Sequence, residues 1–392
     1  MAAKALAAAV ANLPTVTAVR VGGDTAKTRF IMDLTEKFEV TAFALANPYR
    51  VVVDLPQVVF KLPDKAGEHG RGLVKAFRFG LIMQGGSRIV LDTNGPVNID
   101  KAFVLPANAG QPARLVLDLS ATDRASFMHT IALGKRPVRS AAISNSEVAP
   151  KADGDTRPLI VLDPGHGGID TGARAATGEF EKDVVLRFAK KLRQRLEQSG
   201  KYRIAMTRSD DTFIPLSERV LFGRSHHAAL FISIHADAIP RREGQAEGAS
   251  VYTLSENASD AEAARLAESE NKADVIAGVD LTAEPDDVAN ILVDLAQRET
   301  KSYSTLFARN AVRELKGTAR LHKHPLKSAG FKVLTAPDVP SVLVELGYIS
   351  TRADLKLMTS VAWQAKTADA LAQAVDSYFA TRLARGINAK AN

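Results

Sequence analysis

Three segments of the sequence end in side chains that bind metals or move protons. His166 follows the apolar run "LIVLDPG", His235 closes "FISIH", and Glu345 closes "SVLVE". In an α/β sheet, reactive groups gather where the strands deliver side chains to one edge. A fourth candidate, Glu181, stands at the start of a predicted helix, where the helix dipole favours a carboxylate even without a metal. We therefore expect two imidazoles and two carboxylates near one edge of a sheet.

Two imidazoles and one carboxylate form the usual open ligand set of catalytic zinc, which keeps a fourth position for water. Bound zinc lowers the pKa of that water to about 7, and a further carboxylate can take its proton. The glycines around His166, in "DPGHGG", would let backbone and substrate approach such a metal closely. These residue types predict a metal-assisted hydrolase.

Each candidate also has a structural interpretation. A single histidine after a strand can be a hydrogen-bonded structural group, and Glu181 can be a first-turn carboxylate that interacts with the helix dipole. Glu345 is harder to explain in this way, because a carboxylate among apolar neighbours is costly to bury without a partner. Spacing alone does not decide between these alternatives.

The elements that position these residues alternate between strands and helices beyond Pro158. "LIVLD", "YRIAMTR", "ALFISIHAD" and "SVLVELGYIS" predict strands. A helical stripe of apolar residues follows Glu181 and ends at Gly200, and "WQAKTADALAQAVDSYFATRL" predicts a closing amphipathic helix. We predict a three-layer α/β domain over residues 158–385, with a mostly parallel sheet flanked by helices.

The first 120 residues or so have a different pattern. "RFIMD", "RVVVD", "RIVLD" and "RLVLD" each place three apolar residues between an arginine and an aspartate. In a strand, the arginine, the central apolar residue and the aspartate share one face, and the other two apolar residues face the core. Turn signals such as "QGGS" and "TNGP" separate these runs. We predict a small all-β sandwich over residues 13–121, and a flexible linker over residues 122–157, which are rich in Ser, Ala, Pro and charge.

Composition excludes several classes of protein. The chain has no cysteine, which excludes thiolate metal sites, thiol catalysis and disulfides. No apolar run is long enough to span a bilayer.

The net charge of +7 and the pI near 9.4 suit an anionic partner. The basic residues are spread out rather than clustered with aromatics, so we expect no nucleic-acid partner. The opening "MAAKALAAAVA" is similar to the end of a secretory signal, and we expect the export signal itself to be absent or trimmed.

Four segments carry a family resemblance. "IVLDPGHGGIDTGA", "GEFEKDVVL", "FISIHAD" and "PSVLVELGYIS" occur in this order, and together they closely resemble the zinc-dependent N-acetylmuramoyl-L-alanine amidases. The resemblance implies that His166, Glu181 and His235 bind zinc (Zn²⁺) and that Glu345 is the catalytic base. It also implies hydrolysis of the amide between N-acetylmuramic acid and L-alanine of the stem peptide, which strips peptides from peptidoglycan. The N-terminal β domain resembles the AMIN module, which targets such amidases to the cell envelope, so we expect a periplasmic enzyme of daughter-cell separation.

A long connection separates "ARLAESENKAD" from the next strand, although connections in α/β domains are usually short. Acidic residues precede an amphipathic stripe that begins at Val288, and from about residue 300 onward a surface helix packed on the sheet is the simpler interpretation. Amidases that act in cell division carry a similar insert, at about residues 271–300 here, which resembles an autoinhibitory plug. The resemblance implies that Glu284, Asp286 or Asp287 takes the open metal position until an activator of the LytM type binds the insert. Among these, Glu284 has the longest reach.

Two other functions remain open at this point. A catalytically silent peptidoglycan-binding protein could regulate other hydrolases, although such a protein has no chemical reason to keep Glu345. A different zinc hydrolase, such as a peptidase or deacetylase, would release a different fragment, and its mass would identify the reaction.

Overall fold

The structure is a computed structural model that describes residues 13–63, 65–82, 86–108, 110–133, 155–238, 247–279 and 291–389. The chain forms two compact units. The first contains Met1–Ala142 and Asp274–Thr282, and the second contains Ile143–Ala273 and Ala283–Asn392. A short stretch from the second half of the sequence therefore belongs to the N-terminal unit.

The first unit is built from two antiparallel-rich sheets. The five-stranded sheet has the order β5-β1-β2-β9-β8, and the four-stranded sheet has the order β3-β4-β7-β6. The strands are β1 (Thr15–Gly23), β2 (Lys27–Leu34), β3 (Thr41–Leu45), β4 (Arg50–Pro56), β5 (Val59–Phe60), β6 (Val74–Leu81), β7 (Gly86–Thr93), β8 (Val97–Leu105) and β9 (Ala113–Ala121).

The repeated Arg-to-Asp runs occupy the central strand pair of each sheet. Strands β4 and β7 are antiparallel, so Arg50 lies opposite Asp92 and Asp54 lies opposite Arg88. Strands β2 and β9 repeat the arrangement in the other sheet, where Arg29 lies opposite Asp118. The alternate apolar residues of these runs fill the core between the sheets. The predicted β sandwich is confirmed, with each repeat forming a strand.

A helix occupies part of the stretch that we predicted to be a flexible linker. Helix α1 spans Arg124–Leu133, and Asp123 caps its start by accepting a hydrogen bond from the Ser126 backbone N–H at 2.9 Å. Phe127 of this helix is buried, with its ring 5.2 Å from the ring of Tyr49. One buried aromatic residue thus fixes this helix on the β domain. The remainder of the predicted linker up to residue 154 lies outside the described residues.

The second unit is a sheet of the order β11-β10-β12-β15-β13-β14 with helices around it. Its strands are β10 (Leu159–Pro164), β11 (Arg203–Met206), β12 (Leu230–His235), β13 (Ala249–Leu254), β14 (Leu321–Ala329) and β15 (Ser341–Glu345). Its helices are α2 (Glu181–Gln198), α3 (Leu216–Ser225), α4 (Ala261–Glu270), α6 (Ile291–Leu315), α7 (Arg352–Met358) and α8 (Val361–Ala389), with a 3₁₀ turn at Lys332–Leu334. The short helix α5 (Ala273–Ile276) lies where the chain passes from the second unit into the first.

The strands of the second unit are mostly parallel, with β13 antiparallel to β15. Strands β10, β12 and β15 are buried along their whole length, as expected of a sheet covered on both faces. The apolar stripe of α2 packs into the core, with Val184, Phe188 and Leu192 fully buried. The predicted three-layer α/β fold is confirmed. None of the helices in the described ranges is long and apolar enough to cross a bilayer.

Candidate metal centre

Four buried side chains converge at the carboxyl edge of the sheet in the second unit. They are His166, Glu181, His235 and Glu270, and one ligand atom from each lies within 4.8 Å of all the others. The first three were predicted from the sequence to bind a metal. Glu270 was not predicted.

The separations between these atoms fit a tetrahedral metal site. Glu181 Oε1 lies 3.2 Å from His166 Nε2 and 3.3 Å from His235 Nδ1. Glu270 Oε2 lies 3.6 Å and 3.1 Å from the same two nitrogens. Zinc binds nitrogen and oxygen at about 2.0–2.1 Å, which places neighbouring tetrahedral ligands roughly 3.3–3.4 Å apart. These four separations, each between a histidine nitrogen and a carboxylate oxygen, are therefore close to those of a tetrahedral shell.

The two imidazole nitrogens of this cluster are available to bind an ion. His166 Nε2 and His235 Nδ1 are buried, and neither has a hydrogen-bond partner among the described residues. Burial alone would lower the pKa of His166, but the charges of Glu181, Asp170 and Glu270 outweigh it and raise the pKa. The site thus has an excess of negative charge around buried nitrogens, which a divalent cation would neutralise.

The loop after β10 gives His166 an unusual backbone conformation. His166 has φ of +57°, in the left-handed region that few residues with a side chain adopt. Its Nδ1 lies 2.8 Å from Asp170 Oδ2, and both side chains are buried. A carboxylate on one ring nitrogen fixes the tautomer, so that the other nitrogen is free to bind a metal. The Arg219 guanidinium also donates to the His166 carbonyl at 2.8 Å, which anchors the loop from below.

Two glycines make room for the ligands. A Cβ on Gly165 would lie 2.4 Å from the His235 ring, and a Cβ on Gly172 would lie 2.6 Å from His166 Cδ2 and 2.7 Å from Glu181 Oε2. Gly172 also has a positive φ of +61°. These close approaches explain why the sequence places a histidine among glycines.

Glu181 is the first residue of helix α2 and is fully buried. Its carboxylate accepts backbone N–H bonds from Ala173 at 2.9 Å and from Ala236 at 2.8 Å. Burial raises the pKa of Glu181, but the two histidines outweigh burial and hold the pKa well below its usual range. The side chain is therefore held as a charged ligand in a fixed orientation.

Glu345 lies beside the cluster on the neighbouring strand. In the parallel pair of β12 and β15, His235 and Glu345 are register partners. Glu345 Oε2 accepts a hydrogen bond from the Asp237 N–H at 3.2 Å, and its buried Oε1 has no hydrogen-bond partner within the described ranges. Burial raises the pKa of Glu345 well above its usual value, and the charges of Glu181 and Asp237 raise it further. The protonated form of this carboxyl group is therefore favoured more strongly than in an exposed glutamate.

Glu270 is the residue that the sequence analysis missed. It is the last residue of α4, and its side chain is buried on the same stripe as Ala263, Leu266 and Ala267. The sequence did contain a signal for this residue. Glu270 is seven positions after Ala263 and so lies on the apolar face of the helix, which faces the interior. We predicted that the open metal position is taken by Glu284, Asp286 or Asp287, and these three residues lie outside the described residues.

Comparison with known proteins gives consistent similarities. The sequence profile described as N-acetylmuramoyl-L-alanine amidase matches residues 160–377, and the AMIN domain profile matches residues 18–119. The chain is 33% identical over 383 residues to the N-acetylmuramoyl-L-alanine amidase AmiC of Escherichia coli, covering 95% of this chain and 91% of that protein. It is 34% identical over 394 residues to the AmiC of Neisseria meningitidis, covering 96% and 93%. It is 41% identical over 250 residues to the AmiA of Escherichia coli, covering 61% and 86%.

Proposed function

The chain belongs to the N-acetylmuramoyl-L-alanine amidase family, as its motifs predicted, and we propose that it hydrolyses the amide between N-acetylmuramic acid and L-alanine in peptidoglycan. The observation that carries this proposal is the buried cluster of His166, Glu181 and His235, whose ligand atoms lie within 4.8 Å of one another, with a buried carboxyl group, Glu345, on the neighbouring strand. The donor atoms are nitrogen and oxygen, which suits zinc. In this proposal these three residues bind the zinc ion.

When bound, zinc supplies a polarised substrate carbonyl and a water of lowered pKa. The protein supplies the proton transfers. Glu345 accepts a proton from the attacking water at Oε1 while the Asp237 N–H holds Oε2 in place. The same oxygen then delivers the proton to the leaving amine of L-alanine. The raised pKa of Glu345 suits both roles, because a carboxyl group that holds a proton more readily than usual is a better base toward the water and can still donate to the amine.

Glu270 supports a second part of the proposal, which is autoinhibition. Its carboxylate lies where a fourth ligand would be, 3.1 Å from His235 Nδ1 and 3.6 Å from His166 Nε2. A carboxylate there excludes both the attacking water and the substrate carbonyl. We propose that Glu270, rather than one of the three acids further along the insert, closes the site, and that an activator of the LytM type opens it by binding the insert. Deleting or replacing this carboxylate is expected to raise basal hydrolysis.

The β domain and the charge support a place of action at the cell wall. The AMIN profile covers most of the first unit, and the net charge of +7 suits an anionic wall polymer. We propose that this unit brings the enzyme to the wall in the periplasm, where it cuts septal peptidoglycan during daughter-cell separation.

The test is peptide release from purified peptidoglycan by the full chain. The protein is stripped with a chelator and assayed with and without added zinc, and the products are identified by mass. We expect free stem peptides beginning with L-alanine, released only with zinc.

Glu345→Gln is expected to bind zinc normally while hydrolysis falls at least about 100-fold, the usual effect of losing a general base. Glu197→Gln, at a surface position on α2 paired with Arg193, is the matched control and should leave the rate unchanged. Release of sugar fragments, or full activity of Glu345→Gln, would contradict the proposal.

A further inference from the structure

The segment that follows helix α4 packs on the β sandwich of the first unit. Residues 274–279, which we call the latch segment, belong to the first unit together with the β sandwich. Asp274 and Ala277 of this segment are fully buried. Only three residues separate Asp274 from Glu270 in the sequence. Whatever holds the latch segment therefore also limits the movement of Glu270.

Three arginines of the four-stranded sheet hold the latch segment by its backbone carbonyls. Arg50 on β4 donates to the Val275 carbonyl, and Arg78 on β6 donates to the Ile276 carbonyl. Arg88 on β7 donates to the Ala277 carbonyl at 3.3 Å and to the Gly278 carbonyl at 3.0 Å. Val275 and Ile276 end the short helix α5, and Ala277 and Gly278 follow it, so no further helical turn provides N–H groups for these carbonyls. The arginines satisfy them in sequence.

Carboxylates of the same sheet hold two of these guanidinium groups in position. Asp92 accepts from Arg78 at 2.6 Å and 3.0 Å, and Asp54 accepts from Arg88 at 2.6 Å and 3.0 Å. These are the acids and one of the arginines of the repeated runs on β4 and β7. A guanidinium that already donates two hydrogen bonds to a carboxylate has a fixed orientation. Little further conformational entropy is lost when its remaining N–H groups donate to the latch segment.

The shape of the latch segment also fits this face. Gly278 has φ of +69°, its N–H donates to the Val275 carbonyl, and the Val279 N–H donates to the Asp274 carbonyl, which together form a Schellman turn. A Cβ on Gly278 would lie 2.9 Å from a methyl group of Val52 and 2.9 Å from one of Val90. These two valines are the central residues of the repeats on the outer face, and both are fully buried. The latch segment of the same chain therefore packs against the side chains of Val52 and Val90 on this face of the sheet.

Helix α4 is fixed independently at its other end. Glu262, in its first turn, accepts a hydrogen bond from the Tyr348 hydroxyl at 2.6 Å and pairs with Lys327 Nζ at 2.9 Å. The Lys327 side chain is almost completely buried. The end that carries Glu270 is continuous with the latch segment, so release of that segment frees this end first.

We propose that Arg50, Arg78 and Arg88 form an intramolecular clamp for the latch segment, and that the clamp sets how often Glu270 leaves the metal cluster. The proposal rests on the autoinhibition proposed above. It assigns the β domain a regulatory contact in addition to wall targeting: loss of the clamp raises basal hydrolysis without a change at the metal ligands.

Hydrogen exchange in the full-length, zinc-loaded chain tests the clamp directly. Arg88→Gln removes the donor to two carbonyls, and we expect the amides of Gly278 and Val279 to exchange at least about tenfold faster, since hydrogen bonds from charged donors are among the stronger ones. The control is Arg29→Gln on β2. Asp118 holds Arg29 in the same way, at 2.6 Å and 2.8 Å, but the carbonyls of the latch segment accept from Arg50, Arg78 and Arg88 instead. Unchanged exchange in Arg88→Gln would overturn the clamp.

A second pair of variants tests the same contact without removing a charge. Gly278→Ala places a methyl group against Val52 and Val90, whereas Gly200→Ala imposes the same left-handed strain, at φ of +67°, with no atom within 4 Å of the added carbon. Gly278→Ala is expected to speed exchange at Val279 more than Gly200→Ala speeds exchange at the corresponding amide of Lys201. Equal increases at the two amides would show that left-handed strain, and not contact with the sheet, controls the latch segment.

Peptide release connects the clamp to the site. We expect Arg88→Gln to raise basal hydrolysis several-fold, and Glu270→Ala to raise it by at least as much. The double variant should be no more active than Glu270→Ala, because the clamp acts through Glu270. Faster exchange with unchanged hydrolysis in Arg88→Gln, alongside an active Glu270→Ala, would overturn the proposal while autoinhibition stands. An inactive Glu270→Ala that still binds zinc would refute autoinhibition itself, whatever Arg88→Gln does.

Discussion

Replacing Asp170 with asparagine is expected to weaken zinc binding without removing any ligand. In the structure Asp170 Oδ2 lies 2.8 Å from His166 Nδ1, and Oδ1 accepts the Gly172 N–H at 3.1 Å. An asparagine can keep the bond to Gly172 through its oxygen, which turns its NH₂ group toward Nδ1. The imidazole must then accept at Nδ1 and carry its proton on Nε2, the nitrogen that should bind the metal.

The expected loss follows from the burial of this pair. Both side chains are almost fully buried, so no water can replace the carboxylate as the acceptor of the Nδ1 proton. Loss of a carboxylate that orients a metal-bound histidine costs about 10–100-fold in metal affinity, or about 1.4–2.7 kcal/mol. We expect Asp170→Asn to fall in this range, with peptide release reduced accordingly at low zinc and partly restored at high zinc.

A competition titration with a zinc-binding dye measures this effect. The control is Asp211→Asn, because Asp211 accepts the N–H of Gly168 in the same loop at 2.8 Å but touches no ligand. Zinc affinity should be unchanged in the control, and both variants should unfold as cooperatively as the parent chain. An Asp170→Asn protein with unchanged zinc affinity would refute the assignment of His166 Nε2 as the metal-binding nitrogen.

Two further predictions concern the groups that support the site. Arg219→Met should lower the free energy of unfolding by about 3–5 kcal/mol in a denaturant titration, because it leaves the buried Asp163 carboxylate without the guanidinium that lies 2.8 Å away; a loss below 1 kcal/mol would show that Thr207 and Ser233 suffice for Asp163. Gly165→Ala should abolish tight zinc binding, since the added carbon would lie 2.4 Å from the His235 ring, whereas Gly95→Ala, where no atom lies within 4 Å, should bind zinc normally.

Much of the fold could be predicted because the relevant signals are local. The Arg-to-Asp runs alternate at the period of a strand, and each forms one. The runs "LIVLD", "FISIH" and "SVLVE" are continuous apolar segments, and they form the central buried strands of the α/β sheet. Since parallel strands present their ends at one edge, His235 and Glu345 become register partners without any further information.

The rest depends on contacts between distant segments. Glu270 lies on an apolar stripe, but nothing near it in the sequence shows that α4 directs it to two histidines. Phe127 contacts Tyr49, which is far away in the sequence, so nothing local showed that the helix that carries it is fixed on the β domain. The pairing of Arg88 with carbonyls nearly 200 positions away likewise has no local signature.

The central claim is that the fold gathers two imidazoles and a carboxylate around one divalent ion. Diffraction from crystals of the zinc-loaded chain, recorded on both sides of the zinc absorption edge, tests it most directly. We predict one strong anomalous peak within about 2.0–2.1 Å of His166 Nε2, His235 Nδ1 and a Glu181 oxygen. A zinc peak that lies away from these three side chains, or no peak between them at saturating zinc, would contradict the account.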